Sequence, residues 1–394
     1  MFLFSLFSRK GKGKATNQDG SKGKPSEKDE SSAQGQSSTK GKTRPQLQST
    51  DGASSNDQID VLFLQDTTAS QGPYINAAKT AIRDICQKIS TTSNMAPHNI
   101  RFGLVAFRDH PPQDRTYVTK DFGFTSDIAV MEKNLHSLKP QGGGDGPEAQ
   151  TAALALALNM KWKENAAKMV VLITDAPPHG IGEDNDGFDA SPDQNDPLDL
   201  ARQMAERGIT LFVVACEPAL SHYRNAVDFY RALTEITSGQ MFPLTMADRL
   251  GDYITGTAVE TIETEKLIQE YKKEVVNNVY EQSKPIEEVM EEVHNMMKQK
   301  GVKINTMAVE NVYGSSSAAE TNANIWKTSD KLSEARDQVT RIDEPRMKSE
   351  YSSGSRAPAV EFKEAEVEYS QAKRIVMQSV MRSSKVTSKG MTRR

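Results

Sequence analysis

The chain has 394 residues, 36% hydrophobic and 26% charged, enough for two or three domains at ~150 residues each but poor in apolar residues for a chain packed throughout. Two cysteines, Cys86 and Cys216, exclude a disulfide scaffold or a cysteine-based zinc module, and no apolar run reaches the roughly 18 residues of a membrane-spanning helix. The net charge of −4 is uneven, with +4 on residues 1–58 and +7 on 371–394 leaving −15 on 59–370, as in an acidic body that meets anionic surfaces through basic tails.

The N-terminal run Met1-Phe2-Leu3-Phe4-Ser5-Leu6-Phe7 is short, its basic residues follow it, and no small-residue cleavage site closes it. It is not expected to be a signal peptide. An apolar segment followed by a polybasic one supplies the two signals of a peripheral membrane hook, with a frayed terminus packed on the domain as the alternative. Residues 1–58 are rich in Ser, Gly and Lys with few aliphatics, so they are predicted to be a disordered basic tail.

Order begins at Ile59, where an apolar run to Leu64 reads as a buried strand. Ile75, Ala78, Ile82, Ile85 and Ile89 then recur at helical spacing after Pro73. A strand over 100–107, helices over 127–138 and from Pro147 to Met160, and a strand over 169–174 follow. A helix over 197–207, a strand over 209–215, a helix over 225–236 and a short strand at 241–244 complete the alternation. Apolar strands separated by amphipathic helices predict an α/β fold over 59–262, a doubly wound, mostly parallel sheet flanked by helices. Residues 263–345 read as a helical extension, its apolar stripe (Leu267, Tyr271, Val275, Val289, Val293, Met297) packing on the α/β domain and Pro285 breaking or starting a helix. Residues 346–394 read as a mostly disordered basic tail, with only a marginal helix over 361–382.

In a doubly wound sheet the loops beyond the C-terminal strand ends converge on the ligand. Three such loops are rich in oxygen side chains: Asp66-Thr67-Thr68-Ala69-Ser70, Gly142-Gly143-Gly144-Asp145-Gly146-Pro147-Glu148 and Thr174-Asp175-Ala176. Asp66, Thr68 and Ser70 alternate, so they share a face of an extended loop. Carboxylates and hydroxyls without His or thiolate suit a hard cation, Mg2+ or Mn2+. The hydroxyls leave the site undercharged, so an outside carboxylate is still attracted. The bland reading of the first loop is a strand-to-helix turn with capping side chains.

These motifs resemble the metal-ion-dependent adhesion site of the von Willebrand factor type A domain, over about half of the chain. The family's Asp-x-Ser-x-Ser appears with Thr68 at the middle hydroxyl, and Asp145-Gly146-Pro147-Glu148 is similar to the Asp-Ser-Pro-Glu variant of integrin β subunits. The resemblance implies metal ligands Asp66, Thr68, Ser70, Glu148 and Asp175, with Asp145 as a further candidate at a neighbouring position. It implies Mg2+, with Mn2+ or Ca2+ as alternatives. The acidic pair that builds the adjacent site in integrins is replaced by Gln71-Gly72-Pro73-Tyr74, so that second site is expected to be absent. The stretches Val105–Pro112 and Ile173–Gly180 also resemble intracellular A domains of fungi and slime moulds, including those attached to α-kinases.

Asp184–Asp189 is similar to a calcium loop but has Asn195 where the closing Glu belongs, and it reads as an acidic rim loop. His179 is expected to shape a loop, and Asp109 and His110 have no nucleophile beside them. Cys86 and Cys216 read as buried fillers. With no nucleophile–base pair or phosphate loop, the chain is predicted to be no enzyme but a metal-dependent protein-binding module. Its partner would present an Asp or Glu to the metal, and no specific nucleic acid is expected. Alternatives are a scaffold whose C-terminal helices and tails make the contacts, or a regulatory partner of a protein kinase. The expected location is the cytoplasm, with membrane association through the N-terminus.

Overall fold

Every residue of β1 (Ile59–Asp66) is buried, which requires cover on both faces and neighbours on both edges. Its side chains alternate: Ile59, Val61 and Phe63 join one apolar cluster, Leu62 and Leu64 the other. In the computed structural model, which describes residues 58–391 and side chains to residue 383, β1 lies at the centre of a six-stranded sheet. The partners are β2 (Ile100–Phe107), β3 (Thr119–Thr125), β4 (Ala167–Thr174), β5 (Ile209–Cys216) and β6 (Met241–Leu244) in the order β3-β2-β1-β4-β5-β6. All neighbours run parallel except β3, which is antiparallel to β2. The order reverses between β1 and β4, so the crevice at their C-terminal ends is the topological switch point.

Helices α1 (Gly72–Thr92), α2 (Ile128–His136) and α6 (Leu250–Val276) cover one face, and α3 (Gln150–Leu158), α4 (Pro197–Glu206) and α5 (Ala226–Ile236) the other. The predicted doubly wound α/β architecture is therefore the observed one. Strand β3 was not foreseen. It is an edge strand with no fully buried residue, so it carries no apolar run to read. The expected boundary between 262 and 263 falls inside α6, a single helix of 27 residues.

Beyond α6, a short π-helix at Asn277–Glu281 leads to α7 (Ile286–Lys300), which starts directly after Pro285 and stops at Gly301 with φ 64°. Strand β7 (Lys303–Val309) follows, then α8 (Ser317–Thr328) and α9 (Leu332–Arg336). The last elements, β8 (Val360–Glu366) and α10 (Tyr369–Met391), correct the expectation of a mostly disordered tail over 346–394. β8 pairs antiparallel with β7, from Lys303 opposite Glu366 to Val309 opposite Val360. Ala372, Ile375 and Val376 of α10 pack with Leu267, Ile268, Tyr271 and Val275 of α6 and Val289, Met290, Val293 and Met297 of α7. The stripe expected to lie on the α/β domain thus forms its own three-helix cluster, because α10 supplies its apolar partner. Glu260 fastens this cluster to the sheet domain. Its buried carboxylate accepts from Arg374 Nη1 at 3.2 Å, Gln371 Nε2 at 3.3 Å and Thr306 Oγ1 at 3.2 Å.

Among the described residues no helix is long and apolar enough to cross a membrane. The expected N-terminal tail and membrane hook lie outside the described residues, apart from Gln58.

Candidate metal centre

Asp66 is the last residue of β1 and Thr174 the last of β4, so the strand pairing at the switch point brings their side chains together. Asp66 Oδ1 accepts from the Thr68 amide at 2.9 Å and the Thr68 hydroxyl at 2.7 Å, and Oδ2 accepts from Thr174 Oγ1 at 2.9 Å. Thr68 Oγ1 lies 3.4 Å from Ser70 Oγ, as the alternation of the first loop requires. Gln150 Nε2 holds Thr174 Oγ1 at 3.1 Å and the Ala176 carbonyl at 3.0 Å.

The glycine-rich loop lies directly against this turn. The Ala69 amide donates to Gly142 O at 3.2 Å, and the Gln141 amide to Thr67 O at 3.1 Å. Gly143 has φ +84°, and a Cβ there would meet Glu148 Oε1 at 2.9 Å and Thr68 Cβ at 3.4 Å. Only glycine allows that approach at that φ. The Glu148 amide donates to Pro177 O at 2.9 Å, tying the second loop to the third. Thr68, Ser70, Asp145, Glu148, Asp175 and Tyr223 line one cleft of about 390 Å³, with Asp66 fully buried behind Thr68. A larger cavity of about 570 Å³ lies between α5, β6 and β7 and involves none of these residues.

The electrostatics are those of an acidic site without a counter-charge. Burial, then the Asp175 charge, pushes the Asp66 carboxyl up to about 7, against hydrogen bonds from Thr68 and Thr174 that favour ionisation. Glu148 is pushed up to about 10, first by burial and then by Asp66, Asp109, Asp145 and Asp175. Its Oε2 is buried without a hydrogen-bond partner. Hydroxyl and carboxylate donors, an orphaned carboxylate oxygen and a glycine cradle fit a hard divalent cation, which Asp66, Thr68, Ser70, Glu148 and Asp175 could hold.

Asp145 stands apart from that set. Its Oδ2 accepts from Gln113 Nε2 at 3.2 Å and the Gly187 amide at 3.1 Å, and it groups with Asp109 and His179. Among the described residues these three form the one group of His or carboxylate ligand atoms all within 4.8 Å of one another. His179 shapes its loop as expected: Nδ1 is 2.7 Å from Asp186 Oδ1 and Nε2 is 2.7 Å from Asp109 Oδ1, while Gly180 N donates to Asp186 Oδ2 at 2.7 Å. Burial alone would lower the imidazole pKa, but the hydrogen bonds to Asp109 and Asp186 raise it to about 9. The acidic stretch Asp184–Asp189 does reach the rim, held there through Asp186 and Gly187. Tyr223, whose hydroxyl donates to Gly146 O at 3.0 Å, carried no sequence signal for the site. Cys86 and Cys216 are buried, as expected.

Residues 60–251 match the family model of the von Willebrand factor type A domain. The chain carries an A domain. The alpha-protein kinase vwkA of Dictyostelium discoideum is 30% identical over 122 residues, 31% of this chain and 19% of that protein. An ariadne-like RING finger protein of Acanthamoeba polyphaga mimivirus is 26% identical over 189 residues, 46% of this chain and 18% of that protein. The chain thus spans about a fifth of the length of these curated relatives. Among solved structures, the pilus adhesin SpaC from Lactobacillus rhamnosus GG is similar with a TM-score of 0.39 at 12% identity, covering 52% of this chain and 31% of that one. The SpRpn10 VWA domain has a TM-score of 0.31 at 14% identity, covering 48% of this chain and 88% of that one. A domains commonly mediate protein–protein interaction, and the A domain here has its acidic cleft at the C-terminal end of the sheet.

Proposed function

We propose that this A domain is a non-enzymatic, metal-ion-dependent protein-binding module, with Mg2+ held by Asp66, Thr68, Ser70, Glu148 and Asp175. When bound, the ion supplies positive charge and a free coordination position that a partner's Asp or Glu completes. The observation that carries this reading is Glu148: a carboxyl buried among four other acids, with one oxygen unpartnered, is ionised at neutral pH only where a cation is its counter-charge. The chain's own groups do the preparation. Thr68 and Thr174 orient the Asp66 carboxylate, Gly143 lets the second loop close on Thr68, and Gln150 holds the β4 end in place. Partner recovery by affinity purification in Mg2+, in EDTA and with Asp66→Ala tests it. Recovery is expected in Mg2+ alone, with the far-UV spectrum of the variant unchanged. Equal recovery in EDTA overturns the proposal.

A further inference from the structure

A second group of donors lies beside the first site and differs from it in chemistry. His179 brings a ring nitrogen, and Asp109 and Asp145 bring carboxylate oxygens, all within 4.8 Å of one another. Three carboxylates, Asp109, Asp145 and Asp186, surround this one imidazole, which leaves a surplus of negative charge in a mostly buried place. Asp109 is fully buried and its Oδ2 has no partner, and Asp145 Oδ1 is likewise unpartnered. An independent observation comes from His110. Its ring lies 5.9 Å from that of His179, it is only 7% exposed, and its Nε2 has no partner. Buried polar atoms of this kind are ordinarily paired with protein, water or an ion.

We propose that Asp109, Asp145 and His179 form a binding site for a borderline divalent cation such as Zn2+, distinct from the oxygen-lined site of Asp66. Imidazole with carboxylates is a donor set that Zn2+ prefers and Mg2+ does not. Asp186 Oδ1, 2.7 Å from His179 Nδ1, fixes the ring so that Nε2 faces Asp109, the carboxylate–histidine arrangement that supports a metal ligand from behind. The proton now shared between Nε2 and Asp109 Oδ1 leaves to solvent when the ion takes its place. Water completes the coordination, and entry is from the cleft that Asp145 lines. The Asp–x–Thr–x–Ser loop contributes nothing to this site, so it stands or falls separately from the proposed function.

The test uses the full chain, stripped with chelator, in excess Mg2+ to fill the oxygen-lined site, with Zn2+ as the probe and bound metal counted after dialysis. About one Zn2+ per chain is expected, its affinity falling at least tenfold in both His179→Gln and Asp145→Asn and unchanged in Asp66→Ala. Asp145 is half-buried, so its variant reports even where His179→Gln loses its fold by far-UV circular dichroism. Zn2+ binding unaltered in Asp145→Asn, or lost in Asp66→Ala and displaced by Mg2+, overturns the proposal.

Discussion

Replacing Asp66 by Asn removes one charge from the centre of the acidic cleft and almost nothing else. Asn Oδ1 still accepts from the Thr68 amide and hydroxyl, and Thr174 Oγ1, freed from donating to Oδ2, still reaches the Ala176 carbonyl at 3.2 Å. A carboxyl moved from its ordinary 3.8 to about 7 disfavours the ionised folded chain by at most roughly 4 kcal/mol. The sign follows from linkage. Folding favours the protonated form, so the stability is present below pH 3.8 and lost as pH rises through about 7. In EDTA at pH 8, Asp66→Asn is therefore expected to be more stable than the natural chain by about 1–4 kcal/mol, the difference closing towards pH 4. Mg2+ at a hundredfold excess over its dissociation constant stabilises the natural chain by about 2.7 kcal/mol and the variant hardly at all. The two chains should thus approach or exchange their order when Mg2+ is added. Urea denaturation of both chains followed by circular dichroism, with EDTA or Mg2+, at pH 5 and pH 8, measures these stabilities. A variant less stable than the natural chain in EDTA, or one that gains as much from Mg2+, refutes the reasoning.

Three further outcomes follow from other parts of the molecule. Gly143→Ala forces a Cβ to a φ of +84° and to 2.9 Å from Glu148 Oε1; a loss of about 1–2 kcal/mol is expected, together with weaker Mg2+ binding by calorimetry. His179, raised to about 9 by Asp109 and Asp186 against its burial, contributes stability that is complete below pH 6.5 and lost as pH climbs through about 9. The urea midpoint should fall between pH 8 and pH 10 in the natural chain and less so in Asp186→Asn. Arg374→Met leaves Glu260 buried without its guanidinium, at a cost of about 3–5 kcal/mol. Glu260→Gln in the same chain should restore part of that loss, and an additive double variant would show that the pair is not coupled.

The candidate site was largely legible because its residues come from short loops at strand ends. Asp66, Thr68 and Ser70 are two residues apart, and a local turn suffices to gather them. The companion group was not legible. Asp109 and His179 are 70 residues apart, and their hydrogen bond exists only because β2 and β4 flank β1 in the same register. His110 and Asp109 drew notice in the sequence as an isolated pair, and the His179 ring reaches Asp109 from the loop after another strand.

By itself, the sequence determined which strands lie in the middle of the sheet. A run such as Ile59–Asp66, buried at every position, is stable only between two layers of helices, and its composition says so without reference to any partner. Tertiary structure alone decided the fate of the C-terminal third. Val360–Glu366 has no fully buried residue and four charged residues in seven, so nothing in it predicts a strand until Lys303–Val309 offers its edge. Residues 369–391 are a polar, basic helix whose few apolar positions count only because α6 and α7 leave a matching stripe open. The physical reason is the same in both cases. Continuous apolar runs encode burial locally, whereas edge strands and polar helices obtain theirs from partners distant in the chain, whose positions no local pattern records.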